Sequence, residues 1–182
     1  ERAKILPGEA EKYLNEYFKT YPGIKKYIDS TKRSVEVVTD KELAKKMGLE
    51  EYNIVYSESI DGRRRFYAIP SRGKTNEEEV QNRGIRARIQ RQAVNHRIQS
   101  TNAGVAKLAM IKLFAEFKKP EYNSSVHIRL MIHDELAISC PAELAKKVAR
   151  IQLQIMKEAS QEFLKNVPTE LSCAINHVWS KD

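Results

Sequence analysis

Five residues between positions 88 and 102 have types and spacing suited to nucleic acid: Arg88, Arg91, Asn95, Gln99 and Asn102. On a helix, at 100° per residue, all five fall within about 80° of arc and extend over roughly 21 Å. Guanidinium groups match phosphate oxygens, and each amide carries a donor and an acceptor that suit base edges and sugars. A solvated helix face is the plainer account of the stripe. Such faces, however, usually carry Lys/Glu pairs, and none of these five residues is acidic. The second constellation is His133-Asp134-Glu135. Neighbouring side chains on a strand point to opposite faces, so one of the two carboxylates should dominate as a cation ligand. A carboxylate at a tight turn can reach a Mg²⁺ that substrate phosphates also hold. Two-metal phosphoryl chemistry calls for a second carboxylate across the site, and no other residue is an obvious candidate. Ordinary turn chemistry also accounts for an isolated His-Asp pair.

Weaker signals surround these two. Arg63-Arg64-Arg65, with Arg72 and Lys74 nearby, could grip a phosphate backbone or simply decorate a solvated hairpin. His96, His127 and His177 show no metal-ligand spacing. Cys140 has no sequence-near base that would mark a nucleophile, so a buried structural thiol is expected. Trp179 reads as packing or as the lid of a last strand. No glycine-rich phosphate loop is present.

The elements that must position these residues follow from periodicity. Glu9-Ala10-Glu11 after Pro7 opens a helix whose inner stripe is Leu14, Tyr17 and Phe18. A second helix over about 24–32 turns Ile24, Tyr27 and Ile28 inward. Val35-Glu36-Val37-Val38 reads as a strand, and Thr39-x-x-Glu42 caps a short helix that stops at Gly48. Ile54–Tyr56 and Arg65–Ile69 flank Asp61-Gly62 as a hairpin, within what reads as a partly irregular surface insertion. Thr75-x-x-Glu78 caps a long helical pattern to about Lys118. Gly84 and Ser100–Gly104 are where it is expected to break or bend, and Ala103, Ala106, Met110, Leu113, Phe114 and Phe117 form its core stripe. Beyond Pro120 the period switches to 2: Val126, Ile128, Leu130 and Ile132 alternate with polar or exposed positions. A two-residue turn then leads to Leu136–Ser139. Pro141 opens a helix that carries Leu144, Val148, Ile151, Ile155, Ala159 and Phe163 up to Pro168, and Leu171–Ile175 is a closing strand. The order gives an α+β class.

Composition sets the limits. The chain has 182 residues, 32 of them Lys or Arg against 24 Asp or Glu, a net charge of +8 that favours a polyanionic partner. This length fits one domain or slightly more. No run approaches the roughly 20 apolar residues of a membrane span. Two cysteines and no signal-peptide layout give a soluble, reducing, cytoplasmic setting as the expectation. The missing initiator Met points to processing or excision from a longer chain.

In order, these segments resemble the C-terminal part of the family A, Pol I-like DNA polymerases. Arg91-Gln-Ala-Val-Asn95-His-Arg-Ile-Gln99-Ser-Thr101 with Lys107-Leu-Ala-Met110 is similar to the family's R-x-A-x-N-x-x-x-Q-G-T…K-x-A-M helix. Leu130-Met-Ile-His133-Asp134-Glu135-Leu136 resembles its motif C, a strand ending in H-D-E. Residues 9–29 resemble the stretch after the nucleotide-binding fingers helix, and Asp61-Gly-Arg-Arg-Arg-Phe-Tyr resembles the G-R-R-R/L-Y element.

The resemblance implies a palm-type antiparallel sheet with the H-D-E hairpin packed against long helices. It divides the chain into a distal-fingers segment (1–32), an irregular insertion with a hairpin (33–74) and a palm portion (75–182). Asp134 would be one of two metal-binding palm carboxylates, with Mg²⁺ as the ion, and Glu135 its auxiliary acid. His133 would approach the primer terminus. Arg91, Asn95 and Gln99 would track template–primer DNA near the minor groove, and Arg88 and Asn102 join them as DNA-binding candidates through the helical stripe alone. Ser100 and Gly104 depart from the family's common Gly and Asp, and 33–58 is longer than the usual link. The motif with the other catalytic Asp and the nucleotide-gripping fingers helix are both absent from the sequence. The expectation is therefore a C-terminal piece, inactive alone. An N-terminal polymerase portion would bring the second Asp and the contacts to the deoxynucleoside triphosphate. A non-catalytic DNA-binding or replication-scaffold module is the alternative, and a metal nuclease a third, more remote one.

Overall fold

The computed structural model describes residues 7–37, 41–49, 52–70 and 73–179. Its chain divides into two compact units, one of residues up to 58 with 64–97, the other of 59–63 with 98 onward.

In the first unit, α1 (Pro7–Thr20) and α2 (Pro22–Val37) each start on a proline, whose missing N–H costs nothing there. The expected inner stripe of α1 is instead largely open: Leu14 is 55% and Tyr17 45% exposed. Ile24, expected to face inward on α2, is exposed as well. Val35–Val37, read as strand, continue α2. Val35 is fully buried, in a cluster with Val55, Tyr67, Ile69, Ile89 and Ala93. Burying a valine stabilises by about 1.5–3 kcal/mol, whereas its helix-propensity cost is at most about 0.7 kcal/mol. Packing decides the conformation. Val38 and the Thr39 cap lie outside the described residues.

Helix α3 (Lys41–Lys46) ends as expected at Gly48, whose φ of +66° is the left-handed conformation glycine favours. Leu49 N–H donates to the Ala44 carbonyl and Gly48 N–H to that of Lys45, the paired bonds of a Schellman stop. Strands β1 (Tyr52–Glu58) and β2 (Arg64–Pro70) form the expected antiparallel hairpin. Far from lying on the surface, the stretch read as an insertion supplies four of the six residues in the Val35 cluster.

Helix α4 (Asn76–Phe117) is 42 residues long. Glu78 N–H donates to Thr75 Oγ1 at 3.2 Å, while Glu78 accepts from the Lys74 amide at 2.8 Å, a capping box displaced by one residue. The helix is not broken at either expected place, since Gly84 and Ser100–Gly104 stay helical.

In the second unit, α4 supplies Ala109, Leu113 and Phe117 to a core completed by Tyr122, Val126, Leu136, Val148 and Ala159. Phe114, expected in that stripe, is 57% exposed, with the Lys118 ammonium over its ring. Strands β3 (His127–Ile132) and β4 (Glu135–Ser139) pair antiparallel, with a register shift between Ile128 and Leu130. A bulge there breaks the alternation, and Leu130 and Ile132 stand largely exposed. A 3₁₀ turn (Ala142–Leu144) leads into α5 (Ala145–Phe163), which ends short of Pro168. The expected closing strand at 171–175 has no regular structure. It pairs with no strand among the described residues, and a strand exists only with a ladder partner. The α+β class stands. No helix among the described residues is long and apolar enough to cross a membrane.

Candidate cation site and nucleic-acid interface

Ile132 pairs with Glu135, so His133 and Asp134 form a two-residue turn. His133 has a positive φ of +55°. His133, Asp134 and Glu135 are all exposed. The ribbon beneath them is fixed at its base. Leu136 is buried in the core, its carbonyl accepts a hydrogen bond from Gln152 Nε2 of α5 at 2.7 Å, and Arg129 Nε donates to Ser139 Oγ at 2.8 Å. Asp134 makes no hydrogen bond or ion pair among the described residues. Glu135 differs: its Oε1 accepts from Trp179 Nε1 at 3.1 Å. Nothing in the sequence signalled that contact, which spans 44 residues.

No group of three or more His, Cys, Asp or Glu residues that could hold a metal occurs among the described residues. A hard cation such as Mg²⁺ nevertheless binds through one or two carboxylates, with water and substrate phosphates filling the other positions. An exposed, unpaired aspartate on a fixed turn fits such a partial site. It does not make a cage.

The stripe is described in two parts. In the first unit, Arg88, Arg91 and Asn95 are exposed on α4. Ile89 and Ala93 turn the opposite side of the helix into the core. Tyr27 Oη donates to the Val94 carbonyl at 3.0 Å, and buried Ser57 meets His96 Nδ1 at 2.7 Å and Tyr67 Oη at 3.0 Å. These bonds set the rotation of this stretch of α4. His96, set aside for lacking metal spacing, thus serves to seat it. In the second unit, Gln99 and Asn102 are likewise exposed on α4.

The arginine run divides by residue. Arg63 donates to the Ser100 carbonyl at 2.7 Å and pairs with Asp61 at 2.6 Å. The Ser59 hydroxyl, and then Arg63, hold the Asp61 carboxyl below its ordinary value. Arg64 pairs with Glu58 and lies over the Tyr56 ring, and Arg65 lies over Tyr67. These groups have partners inside the chain, which argues against a free phosphate grip. Arg72 lies outside the described residues. Cys140 is half-buried and burial pushes its thiol pKa up, as befits an unreactive position.

The family model "DNA polymerase family A" matches residues 1–181. DNA polymerase I of Borreliella burgdorferi is 31% identical over 97% of the chain, and the thermostable DNA polymerase I of Thermus aquaticus is 28% identical over 94%. The chain spans 16% and 17% of the lengths of these two relatives. The polymerase domain of Pol1 from M. smegmatis, solved with DNA primer-template and dNTP, superposes with a TM-score of 0.59 at 23% identity. That match covers 86% of the chain and 23% of the solved one, and it supports the shared fold.

Proposed function

The chain belongs to DNA polymerase family A, and we propose that it supplies one metal-binding carboxylate and the template–primer contacts of a DNA-directed DNA polymerase. The observation that carries this reading is the exposed Asp134, unpaired among the described residues, on a turn fixed from below by Leu136 and Gln152. Asp134 would hold the cation, with Glu135 as auxiliary acid and His133 facing the primer terminus. Arg88 and Arg91 would engage phosphates, and Asn95, Gln99 and Asn102 the sugar and minor-groove acceptors. Bound Mg²⁺ supplies charge neutralisation at the attacking and leaving oxygens. The reaction is attack of a primer 3′-hydroxyl on a deoxynucleoside triphosphate. We assign 1–32 to distal fingers, 33–74 to an insertion with its hairpin and 75–182 to the palm. An N-terminal polymerase portion would bring the second Asp and the contacts to the incoming nucleotide.

Reconstitution with such a portion tests this reading. Asp134→Ala should abolish primer extension and leave duplex binding intact. Wild-type incorporation by that variant refutes the assignment. A non-catalytic DNA-binding or scaffold module is the second reading, favoured by the lack of a three-ligand group among the described residues. It predicts that Asp134→Ala changes nothing.

A further inference from the structure

The sequence leaves open which of two adjacent carboxylates takes the cation. Geometry separates them. Glu135 opens β4 and has one carboxylate oxygen committed to the indole N–H of Trp179, whereas Asp134 sits on the turn with no hydrogen bond or ion pair among the described residues. The indole N–H is a donor only, and its bond to an ionised carboxylate is charge-assisted. Trp179 also lies within an irregular stretch, 164–179, where a bond between Ser160 and Thr169 hydroxyls at 2.9 Å is a second tie. That bond occupies one oxygen of Glu135 and fixes its direction, so only the other oxygen remains to offer an ion.

We infer that Trp179 is a positioning residue, which restrains Glu135 so that Asp134 alone is the hairpin's cation ligand. The inference rests on the cation reading above and deepens it.

Trp179 is the only tryptophan of the chain, so the full chain gives a single indole N–H resonance in a ¹⁵N-correlated NMR spectrum. Glu135→Ala should move that resonance and Asp134→Ala should leave it in place. An unmoved resonance in Glu135→Ala overturns the contact. Mn²⁺ alone is the second probe. It should broaden the wild-type indole signal, do so equally in Glu135→Gln, and fail to do so in Asp134→Ala. Equal loss in Glu135→Gln and Asp134→Ala makes Glu135 a ligand and overturns the inference. In Trp179→Phe the released Glu135 should capture the ion. Asp134→Ala in that background should then retain Mn²⁺ broadening of the Glu135 backbone amide. A double variant as silent as Asp134→Ala overturns the positioning role. No broadening in the wild-type chain sinks the cation reading itself, and this role with it. A wild-type pattern in the remaining amides of each variant serves as the folding control.

Discussion

His133 occupies a backbone conformation that side chains rarely adopt, at φ +55°. Left-handed geometry costs an L-residue about 1–2 kcal/mol, and a β-branched side chain tolerates it least. His133→Gly should therefore raise the unfolding free energy, and His133→Val should lower it by about 1–2 kcal/mol, both read by denaturant titration of the chain. Equal stability of the two variants would show that the turn carries no strain. At this scale the sequence was informative about type and exposure. The tip triad and all five stripe residues are exposed. It was silent about commitments across long separations. Nothing near Arg63 announces Ser100, and nothing near Glu135 announces Trp179. Such bonds depend on how distant elements meet, which no local pattern encodes.

Helix α4 shows the same limit one level up. Its two glycines look alike in sequence and differ in surroundings. A methyl group at Gly84 meets nothing within 4 Å, whereas at Gly104 it falls 2.8 Å from the Phe163 ring and 3.0 Å from the Arg63 guanidinium. Gly84→Ala should stabilise by about 1 kcal/mol from helix propensity alone. Gly104→Val should destabilise by about 1–3 kcal/mol through overpacking. Thermal unfolding of the two variants checks the contrast, and a stabilised Gly104→Val would refute the packing account. Elements with strong end signals were legible, including the Gly48 stop, the hairpin around Asp61-Gly62 and the two-residue turn at His133-Asp134. Those that depend on tertiary partners were not. Val35 sits on a buried helix face despite its β-branched side chain, and 171–175 pairs with no strand among the described residues. The bulge near Arg129 shifts which β3 residues face inward, a local insertion that alternation cannot anticipate.

For the molecule as a whole, the net charge of +8 would set the first approach to the proposed duplex partner. Duplex affinity should fall linearly with salt on logarithmic axes. Arg91→Ala should reduce that slope by about 1, measured by anisotropy of a labelled primer–template across a salt series. An unchanged slope would remove Arg91 from the phosphate contacts. The tip of the β3–β4 ribbon adds something that charge alone does not. Below the acids, Leu130, Met131 and Ile132 stand 44%, 39% and 37% exposed, a greasy collar beneath an anionic point. Under the proposed cation role, a chain laid against that collar would drive off water and lower the local dielectric, which would strengthen the pull of Asp134 on a divalent ion. Shielding the collar and gripping the ion would then be one thermodynamic event, each tightening the other.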